Sequence, residues 1–546
     1  MKTLFPFLII VISLFSCVEK RQIDLIVENG KVYTVDENFS TVSHFAIDKG
    51  KIIATGTKED ILSQYNGEKI LDASGKTIIP GWIDAHCHFY GLGLMNQRVD
   101  LVGAKNFDEI LNRLVEFQRS NKHTYILGEG WDQNLWKDKT FPTKIKLDSL
   151  YPHTPIALRR IDGHALLVNQ AALNLAKITM NTIEEGGRIE KLNGQLTGII
   201  IDKPMQLIFD SQPKPNRATQ IKALKAAEKI CFRHGLTSIT EAGLDREIIE
   251  LIDSLQQEGD LQIRINAMIN YNEQNLSHYL LRPIYKTDKL QVNSFKLYAD
   301  GSLGSRGACL KEAYADKKGH QGQLISNIET LDSIIAHIAN SPYQLNSHAI
   351  GDSTNKLMLQ LYTKHLKGKL NRRWRIEHAQ VVSPSDIPFF SQGILPSVQP
   401  THAISDMGWA EERLGAERIH HAYAYKDLLS ANKMIALGTD FPIEKVDPRL
   451  TFHSAISRQN IFSEPENGFN MEQALTREET LRGMTIWAAY ASFEEMEKGS
   501  IEVGKWADFI ILDKDIMAIP YHQIPSIQVE ATFIAGKQVY GHKKRE

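Results

Sequence analysis

Two histidines separated by one residue end an apolar stretch early in the chain. The sequence PGWIDAHCHFYG places His86 and His88 where a buried strand should stop. Side chains at positions i and i+2 of a strand point to the same face, so both imidazoles would reach one site. This spacing predicts the first two ligands of a metal site, with a pair of polar loop residues as the alternative.

Residues able to bind a metal recur at the ends of other predicted strands. They are Lys296 in NSFKLYADG, His348 in QLNSHAIGD, His378 in RWRIEHAQ and Asp440 in MIALGTDFP. Taken singly, each has a structural alternative: a histidine hydrogen-bonded in the core, an aspartate capping the next segment, or a lysine extending to solvent. Because such residues occur at five strand ends, counting the histidine pair, we favour one shared site.

These residues need a scaffold in which strand ends converge. Apolar segments alternate with amphipathic helical patterns such as REIIELIDSLQQ and ETLDSIIAHIANS. The candidate strands are 77–88, 236–242, 262–269, 292–299, 343–348, 373–378, 393–399 and 433–440. Eight strand–helix units predict the α/β class and a (β/α)8 TIM barrel, in which the chemistry lies at the carboxyl ends of the strands.

The two chain termini share a different pattern, with β-type runs around glycine turns. The pieces ENGKVY and IAGKQVY are alike, and both fit neighbouring strands of one small sheet. We predict a composite β-sandwich domain from residues 22–76 and 499–546, and a barrel over residues 77–498. A long excursion at about 90–230 follows the first barrel strand, and its internal structure does not follow from the pattern.

The N-terminus has the pattern of an export signal. A lysine precedes an apolar run that is short for a membrane span, and the run ends in Leu14-Phe15-Ser16-Cys17. This ending is similar to a bacterial lipobox and predicts a lipoprotein-type signal peptide over residues 1–16, with Cys17 as the lipidated residue. The protein is then exported and anchored by lipid to a cell-envelope membrane, on the periplasmic or surface side. An uncleaved anchor or a plain secretory signal is the alternative.

Composition and charge indicate the general class of protein and the kinds of partner to expect. The chain is 42% hydrophobic and 23% charged with a net charge of −2, which is typical of a globular protein. The expected partner is a small-molecule substrate. A strongly basic surface is not indicated, so no nucleic-acid partner is expected. The oligomeric state stays open, with a homodimer as one option.

Imidazoles and a carboxylate together suit Zn²⁺ and similar divalent ions. The predicted ligands exceed what one tetrahedral ion needs, so one ion or two ions about 3.5–4 Å apart would fit. Asp440, at the edge of the site, could take the proton of a metal-activated water and return it to a leaving nitrogen. The sequence therefore predicts metal-dependent hydrolysis with Asp440 as general base.

The motifs PGWIDAHCH, FKLYADGSLGSR, SHAIGD, RIEHAQ, LGTDFP and KGSIEVGKWADFIILD resemble the amidohydrolase superfamily, in particular its amidohydrolase-3 branch with the N-substituted formamide deformylases. The resemblance implies one ion on His86 and His88 and another on His348 and His378. It also implies that CO₂ converts Lys296 to a bridging carbamate. Asp440 would be both a ligand and the general base.

Further motifs resemble parts of the substrate shell of that branch. Within the excursion, GEGWDQNLW and RRIDGHALLVN supply Trp131, Asp162 and His164, which would contact substrate or, equally, brace the excursion on the barrel.

The barrel supplies three more candidates for the surroundings of the site. Asp300 and Arg306 follow the lysine and are expected to support the ligands from behind. His402, after the seventh strand, could orient a transition-state oxygen.

The resulting prediction is an amidohydrolase that acts on a non-peptide C–N bond of an amide or formamide-like substrate. Alternatives keep the site but change the bond to an ester, lactone, carbamate or phosphoester, or change the reaction to an isomerisation. A non-catalytic binding lipoprotein on the same scaffold is the alternative from another class.

Overall fold

The computed structural model describes residues 20–120, 123–161, 163–182 and 187–541. The predicted signal peptide, its lipidated Cys17 and the candidate Asp162 lie outside the described residues. Within the described ranges, no helix combines the length and hydropathy needed to span a membrane.

The described strands range from two to nine residues in length. In chain order they are β1 (Arg21–Glu28), β2 (Lys31–Tyr33), β3 (Thr41–Val42), β4 (His44–Asp48), β5 (Lys51–Gly56), β6 (Tyr65–Asp72), β7 (Thr77–Pro80), β8 (Trp82–Cys87), β9 (Val99–Asp100), β10 (Ile126–Trp131), β11 (Ile156–Arg160), β12 (Ala165–Val168), β13 (Gly187–Leu192), β14 (Gln195–Asp202), β15 (Leu236–Leu244), β16 (Arg264–Asn270), β17 (Tyr285–Lys286), β18 (Leu290–Tyr298), β19 (Gln344–Ala349), β20 (Arg375–His378), β21 (Leu395–Val398), β22 (Ala436–Leu437), β23 (Phe509–Leu512), β24 (Val529–Ile534) and β25 (Lys537–Gly541).

The helices are α1 (Lys58–Leu62), α2 (Phe89–Met95), α3 (Phe107–Ser120), α4 (Ile145–Leu150), α5 (Gln170–Leu175), α6 (Met205–Ser211), α7 (Arg217–Arg233), α8 (Arg246–Gln257), α9 (Glu273–Leu280), α10 (Ile328–Ala339), α11 (Asp352–Leu366), α12 (Pro400–Asp406), α13 (Ala410–Arg418), α14 (Tyr425–Asn432), α15 (Pro448–Ser457), α16 (Arg477–Gly483) and α17 (Ile486–Ala491). Helix α10 shows why they form: Asn327 caps it by accepting from Thr330 N at 2.8 Å, and Leu331, Ile335 and Ile338 bury one face. The helices predicted over REIIELIDSLQQ and ETLDSIIAHIANS are confirmed as α8 and α10.

The chain divides into two compact units. The barrel unit comprises residues up to Cys87, Ile230–Ile249 and residues from Gln262 onward; the excursion unit comprises His88–Lys229 and Glu250–Leu261. The excursion unit has its own mixed sheet in the order β13-β14-β12-β11-β10-β9. An apolar core that includes Trp131, Leu158 and Leu167 lies within that unit.

The barrel unit contains eight parallel strands in the order β8-β15-β16-β18-β19-β20-β21-β22. Strands β16 and β18 are buried along almost their whole length, as parallel strands require when both faces are covered. Past the last strand the chain returns to the first, because Asp440 N donates to His86 O at 2.8 Å. The predicted TIM barrel is therefore confirmed.

Two further sheets in the barrel unit form the extra β structure. One has the order β5-β4-β1-β6, and the other, β25-β24-β23-β7-β2-β3, joins strands from both chain ends. A shared apolar core packs them together, with Phe45 of the first sheet edge-on to Phe509 of the second at 5.2 Å between ring centroids. The predicted β-sandwich built from both termini is confirmed as part of the fold.

The strand predicted over 77–88 is wrong as a single element. Residues Thr77–Pro80 form β7 in the sandwich, and the barrel strand β8 begins at Trp82. The break falls at Gly81, where a Cβ would lie only 2.3 Å from the Thr237 side chain. This close approach of backbone to a neighbouring strand requires glycine and lets the chain pass from one sheet to the other.

Candidate metal centre

Five predicted ligands from distant parts of the barrel unit meet at the carboxyl ends of its strands. His86 Nε2 lies 3.1 Å from Lys296 Nζ and 3.6 Å from Asp440 Oδ1. The ring of His378 has its centroid 4.8 Å from that of His86 and 4.6 Å from that of His348. The five residues therefore form one cluster of His86, Lys296, His348, His378 and Asp440.

The sixth predicted ligand, His88, lies just past the same strand. It follows Cys87, the last residue of β8, and is the N-cap residue of α2, where its side chain makes no capping hydrogen bond. Chain continuity thus carries His86 and His88 to the same strand end.

Burial makes the cluster suitable for metal binding. It lowers the pKa of His86 to about 4 and that of His348 to about 3, so both imidazoles are neutral at neutral pH. Burial also lowers the pKa of the Lys296 ammonium, to about 8. Neutral imidazole is the form that binds a cation, and a lysine whose pKa lies near neutrality is available for modification.

Two observations show that the donor set fits a divalent ion. The Nε2 atom of His348 is buried without a hydrogen-bond partner among the described residues, and Asp300 Oδ1 lies 3.6 Å away. His378 and Asp440 each offer a ligand atom in a group whose atoms all lie within 4.8 Å of one another, and its third member, His402, contacts Asp440. Imidazole nitrogens and a carboxylate oxygen at this spacing are typical of sites for Zn²⁺ and related ions.

Two residues of the cluster have left-handed backbone conformations. His378 has φ of +73° and Asp440 has φ of +60°. Such values are uncommon for residues other than glycine and concentrate at functional sites, where the surrounding structure holds them. At both positions the backbone leaves the extended conformation, at the last residue of β20 and beyond the end of β22.

The remaining barrel candidates occupy distinct positions. Asp300 is buried and accepts from the backbone N–H groups of Ile350 at 3.0 Å and Gly351 at 2.9 Å, which anchors the segment after β19 and His348. Arg306 forms an ion pair with Asp316 of its own loop at 2.6 Å.

His402 lies beside the predicted general base. Its Nε2 is 3.2 Å from Asp440 Oδ2 and its Nδ1 is 3.2 Å from Glu444 Oε1. Burial lowers the pKa of His402, but the hydrogen bonds to the two carboxylates outweigh burial and raise that pKa to about 10. The contact fixes one oxygen of Asp440 and leaves the other, Oδ1, on the side of His86.

The excursion candidates are held within their own unit. Trp131 is fully buried in the core of that unit, and its indole N–H donates to Leu158 O at 2.8 Å. His164 is exposed and pairs with Asp202 at 2.8 Å. These contacts give Trp131 a packing role inside the excursion unit and place His164 on a surface.

Sequence reasoning did not identify three buried residues that contact the cluster. Asp84 accepts from His86 N and Thr439 N, both at 3.0 Å, and so joins the first and last barrel strands beside two candidate ligands. Glu377 accepts from His86 Nδ1, and Gln399 Oε1 lies 2.8 Å from His378 Nδ1. For Asp84 and Glu377, the sequence signal that could have identified them is a charged residue inside an apolar strand motif, as in WIDAH and RIEH.

The fold and the cluster define a metal-dependent hydrolase of the TIM-barrel type. A family model described as the amidohydrolase family matches residues 69–540, and the chain belongs to that family. The predicted membership of the amidohydrolase-3 branch is confirmed.

Similar proteins extend over nearly the whole chain. A Bacillus subtilis protein named as an amidohydrolase, YtcJ, is 31% identical and covers 94% of this chain and 98% of its own length. The N-substituted formamide deformylase of Arthrobacter pascens is 24% identical, with 94% and 97% covered. The crystal structure of an uncharacterized metal-dependent hydrolase from Pyrococcus horikoshii matches with a TM-score of 0.78 and 28% identity, covering 91% of this chain and 99% of that chain.

Proposed function

We propose that this hydrolase cleaves a non-peptide C–N bond in an amide or formamide-like small molecule, with Zn²⁺ as the metal and a carbamate on Lys296. The observation that carries the proposal is the buried convergence of His86, Lys296, His348, His378 and Asp440 at one end of the barrel. Similarity over almost the full chain to a protein named N-substituted formamide deformylase supports the choice of bond.

The residues that would hold one or two ions are His86, His88, His348, His378, Asp440 and the carbamate of Lys296. When bound, a divalent ion supplies Lewis-acid chemistry, since it polarises a carbonyl oxygen and makes water more acidic. In their neutral state the buried imidazoles each have a nitrogen lone pair that can bind a cation.

The burial of Lys296 supports its proposed reaction with CO₂. Because burial lowers its pKa to about 8, a substantial fraction of the amine is neutral near neutral pH, and only the neutral amine attacks CO₂. A C–N bond then forms between Nζ and the carbon of CO₂, and one proton is released. The product is an anion, which resolves the cost of a buried ammonium by turning it into a ligand for cations.

Asp440 would move the proton of the reaction. In hydrolysis, water adds to the carbonyl carbon, the C–N bond breaks, and one water proton must reach the departing nitrogen. Asp440 can accept that proton on one carboxylate oxygen and deliver it, while His402 holds the other oxygen at 3.2 Å.

The location of the protein stays a proposal from its first residues. The apolar run and the Leu14-Phe15-Ser16-Cys17 ending support export and a lipid anchor on Cys17. Mass spectrometry of the mature N-terminus tests this: a diacylated Cys17 is expected, and an intact N-terminal Met1 would contradict it.

A matched substrate panel tests the proposed reaction. Purified chain lacking residues 1–17, loaded with Zn²⁺, is offered amides, formamides, esters, lactones, carbamates and phosphoesters that share the same flanking groups. We expect the highest kcat/KM for an amide or formamide. Strict preference for an ester would contradict the proposed bond, and less than one equivalent of retained metal together with ligand binding that EDTA does not change would favour a binding lipoprotein.

The lysine carbamate has its own test. Lys296→Ala should lose most activity and most bound metal, because the bridging ligand is removed. Lys31→Ala changes a lysine of the β-sandwich that pairs with Asp515, and it serves as the matched control with normal activity. Near-normal turnover of Lys296→Ala would contradict the bridging role.

A further inference from the structure

The side chain of Glu377 lies fully buried behind His86, in the interior of the barrel. His86 Nδ1 donates to Glu377 Oε2, and neither side chain has any exposed surface. Since Nδ1 is occupied by this bond, Nε2 is the ring nitrogen that faces Lys296 and Asp440. The carboxylate thereby sets both the tautomer and the orientation of the ring.

Arg375, two residues before Glu377 in β20, holds the Glu377 carboxylate in place. Its Nε lies 2.7 Å from Glu377 Oε1, and its Nη2 donates to Glu377 Oε2 at 3.0 Å. The same Nη2 also contacts Ala85 O at 2.6 Å and Ser397 Oγ at 2.8 Å. Glu377 is therefore held by His86 of β8 and by Arg375, which β8 and β21 hold in turn, and its carboxylate has no exposed surface.

His378, the residue after Glu377 in β20, has a different hydrogen-bond partner. His378 Nδ1 lies 2.8 Å from Oε1 of Gln399, which is a neutral amide. A hydrogen bond to a carboxylate is stronger than one to an amide and makes the imidazole a better donor to a cation. His86 and His378 are thus oriented by equivalent contacts that differ in charge.

We propose that Glu377 is a positioning residue that strengthens metal binding through His86, so that the ion held by His86 is the most tightly bound ion of the centre. This inference rests on the proposed metal centre and adds a ranking within it. Neither Glu377 nor Arg375 contacts substrate in this proposal; both act through His86.

The test is a chelator-competition titration of Zn²⁺ on the full chain, repeated with Co²⁺ and its visible absorption as a second readout. Glu377→Gln keeps the size and an acceptor oxygen but removes the charge. We expect it to weaken the tightest-bound ion about 10–100-fold and to change the Co²⁺ spectrum. Gln399→Leu removes the neutral partner of His378. We expect this variant to weaken the tightest-bound ion less than Glu377→Gln does.

Two further variants keep the result independent of folding. Arg375→Gln combined with Glu377→Gln removes both charges together and should weaken the same ion as the single variant does. Asp508→Asn disrupts a matched buried arginine–carboxylate pair, formed with Arg264 at the start of β16 at 2.5 Å, and should leave metal affinity unchanged.

Three outcomes overturn the inference. They are unchanged affinity in both Glu377 variants, a larger loss in Gln399→Leu than in Glu377→Gln, and an equal loss in Asp508→Asn. If the wild-type chain binds less than one equivalent of metal, the proposed centre itself fails, which is distinguishable because every variant then behaves alike.

Discussion

The barrel unit and the excursion unit treat charged and polar side chains in opposite ways. At the carboxyl ends of the barrel strands, Lys296, Glu377 and Asp440 are all buried and lie close to histidine rings. In the excursion unit the core is apolar and aromatic, and an ion pair such as His164–Asp202 is exposed.

This contrast distinguishes residues that take part in the reaction from residues that stabilise the fold. Burying a charge costs free energy unless it is paired, and the gain rarely exceeds the loss, so a buried charged cluster indicates selection for function. Apolar burial with surface ion pairs is the ordinary way to stabilise a fold. We therefore expect substitutions in the barrel cluster to affect turnover and substitutions in the excursion core to affect stability.

Asp440→Asn should give the largest effect. Asparagine tolerates the left-handed backbone of position 440 (φ +60°), so the fold should persist while the proton acceptor is lost. We expect kcat to fall about 10²–10⁴-fold with the melting temperature nearly unchanged. Steady-state kinetics and thermal unfolding measure both, and an unchanged kcat would break the assignment of chemistry to the barrel cluster.

Trp131→Ala should show the opposite behaviour in the excursion unit. Removing a fully buried tryptophan leaves a cavity and costs about 3–5 kcal/mol of unfolding free energy. Leu135→Ala, at a nearby side chain that is 60% exposed, is the matched control and should change little. Denaturant unfolding measures this; normal stability combined with a raised KM would instead assign Trp131 to the substrate.

His453 is a buried histidine in α15 of the barrel unit, outside the cluster, and its burial should make stability depend on pH. Burial lowers its pKa to about 4, whereas the unfolded value is about 6.5, so the folded state favours the neutral ring. The stability contribution is complete above pH 6.5 and declines as pH falls toward 4. Relative to His453→Gln, the wild-type chain should lose on the order of 2 kcal/mol between pH 7.5 and 4.5.

Unfolding free energies of the two proteins at both pH values give this difference directly. If the difference in unfolding free energy between the two proteins is the same at both pH values, burial does not lower the pKa of His453.

His164→Ala should have the smallest effect. The side chain is 72% exposed and its partner Asp202 is 47% exposed, so the loss of their pair should change stability by less than about 0.5 kcal/mol. Thermal unfolding and kcat/KM measure this, with Asp202→Ala as the partner variant. A tenfold rise in KM for His164→Ala alone, about 1.4 kcal/mol, would instead place it in substrate binding.

Much of the barrel and its cluster could be predicted from local pattern. Apolar strands alternating with amphipathic helices predicted the barrel, and the rule that parallel strand ends converge predicted the cluster of His86, Lys296, His348, His378 and Asp440. The barrel prediction is confirmed, and the side chains at its strand ends lie together because those ends meet whatever the intervening loops do.

Other features depended on contacts between segments far apart in sequence. The break at Gly81 follows from the close approach of Thr237, and the positions of Asp84 and Glu377 behind His86 follow from neighbouring strands. No local pattern reports which face of a buried strand meets which neighbour.

The sequence by itself determined the class of the fold, the order of its strands and the kinds of side chain at their ends. Only the tertiary structure decided how those side chains are oriented. His378 and Asp440, with φ of +73° and +60°, leave the extended backbone conformation of a strand. Such conformations are stable only when packing from other segments holds them, so they cannot be inferred from the residues on either side.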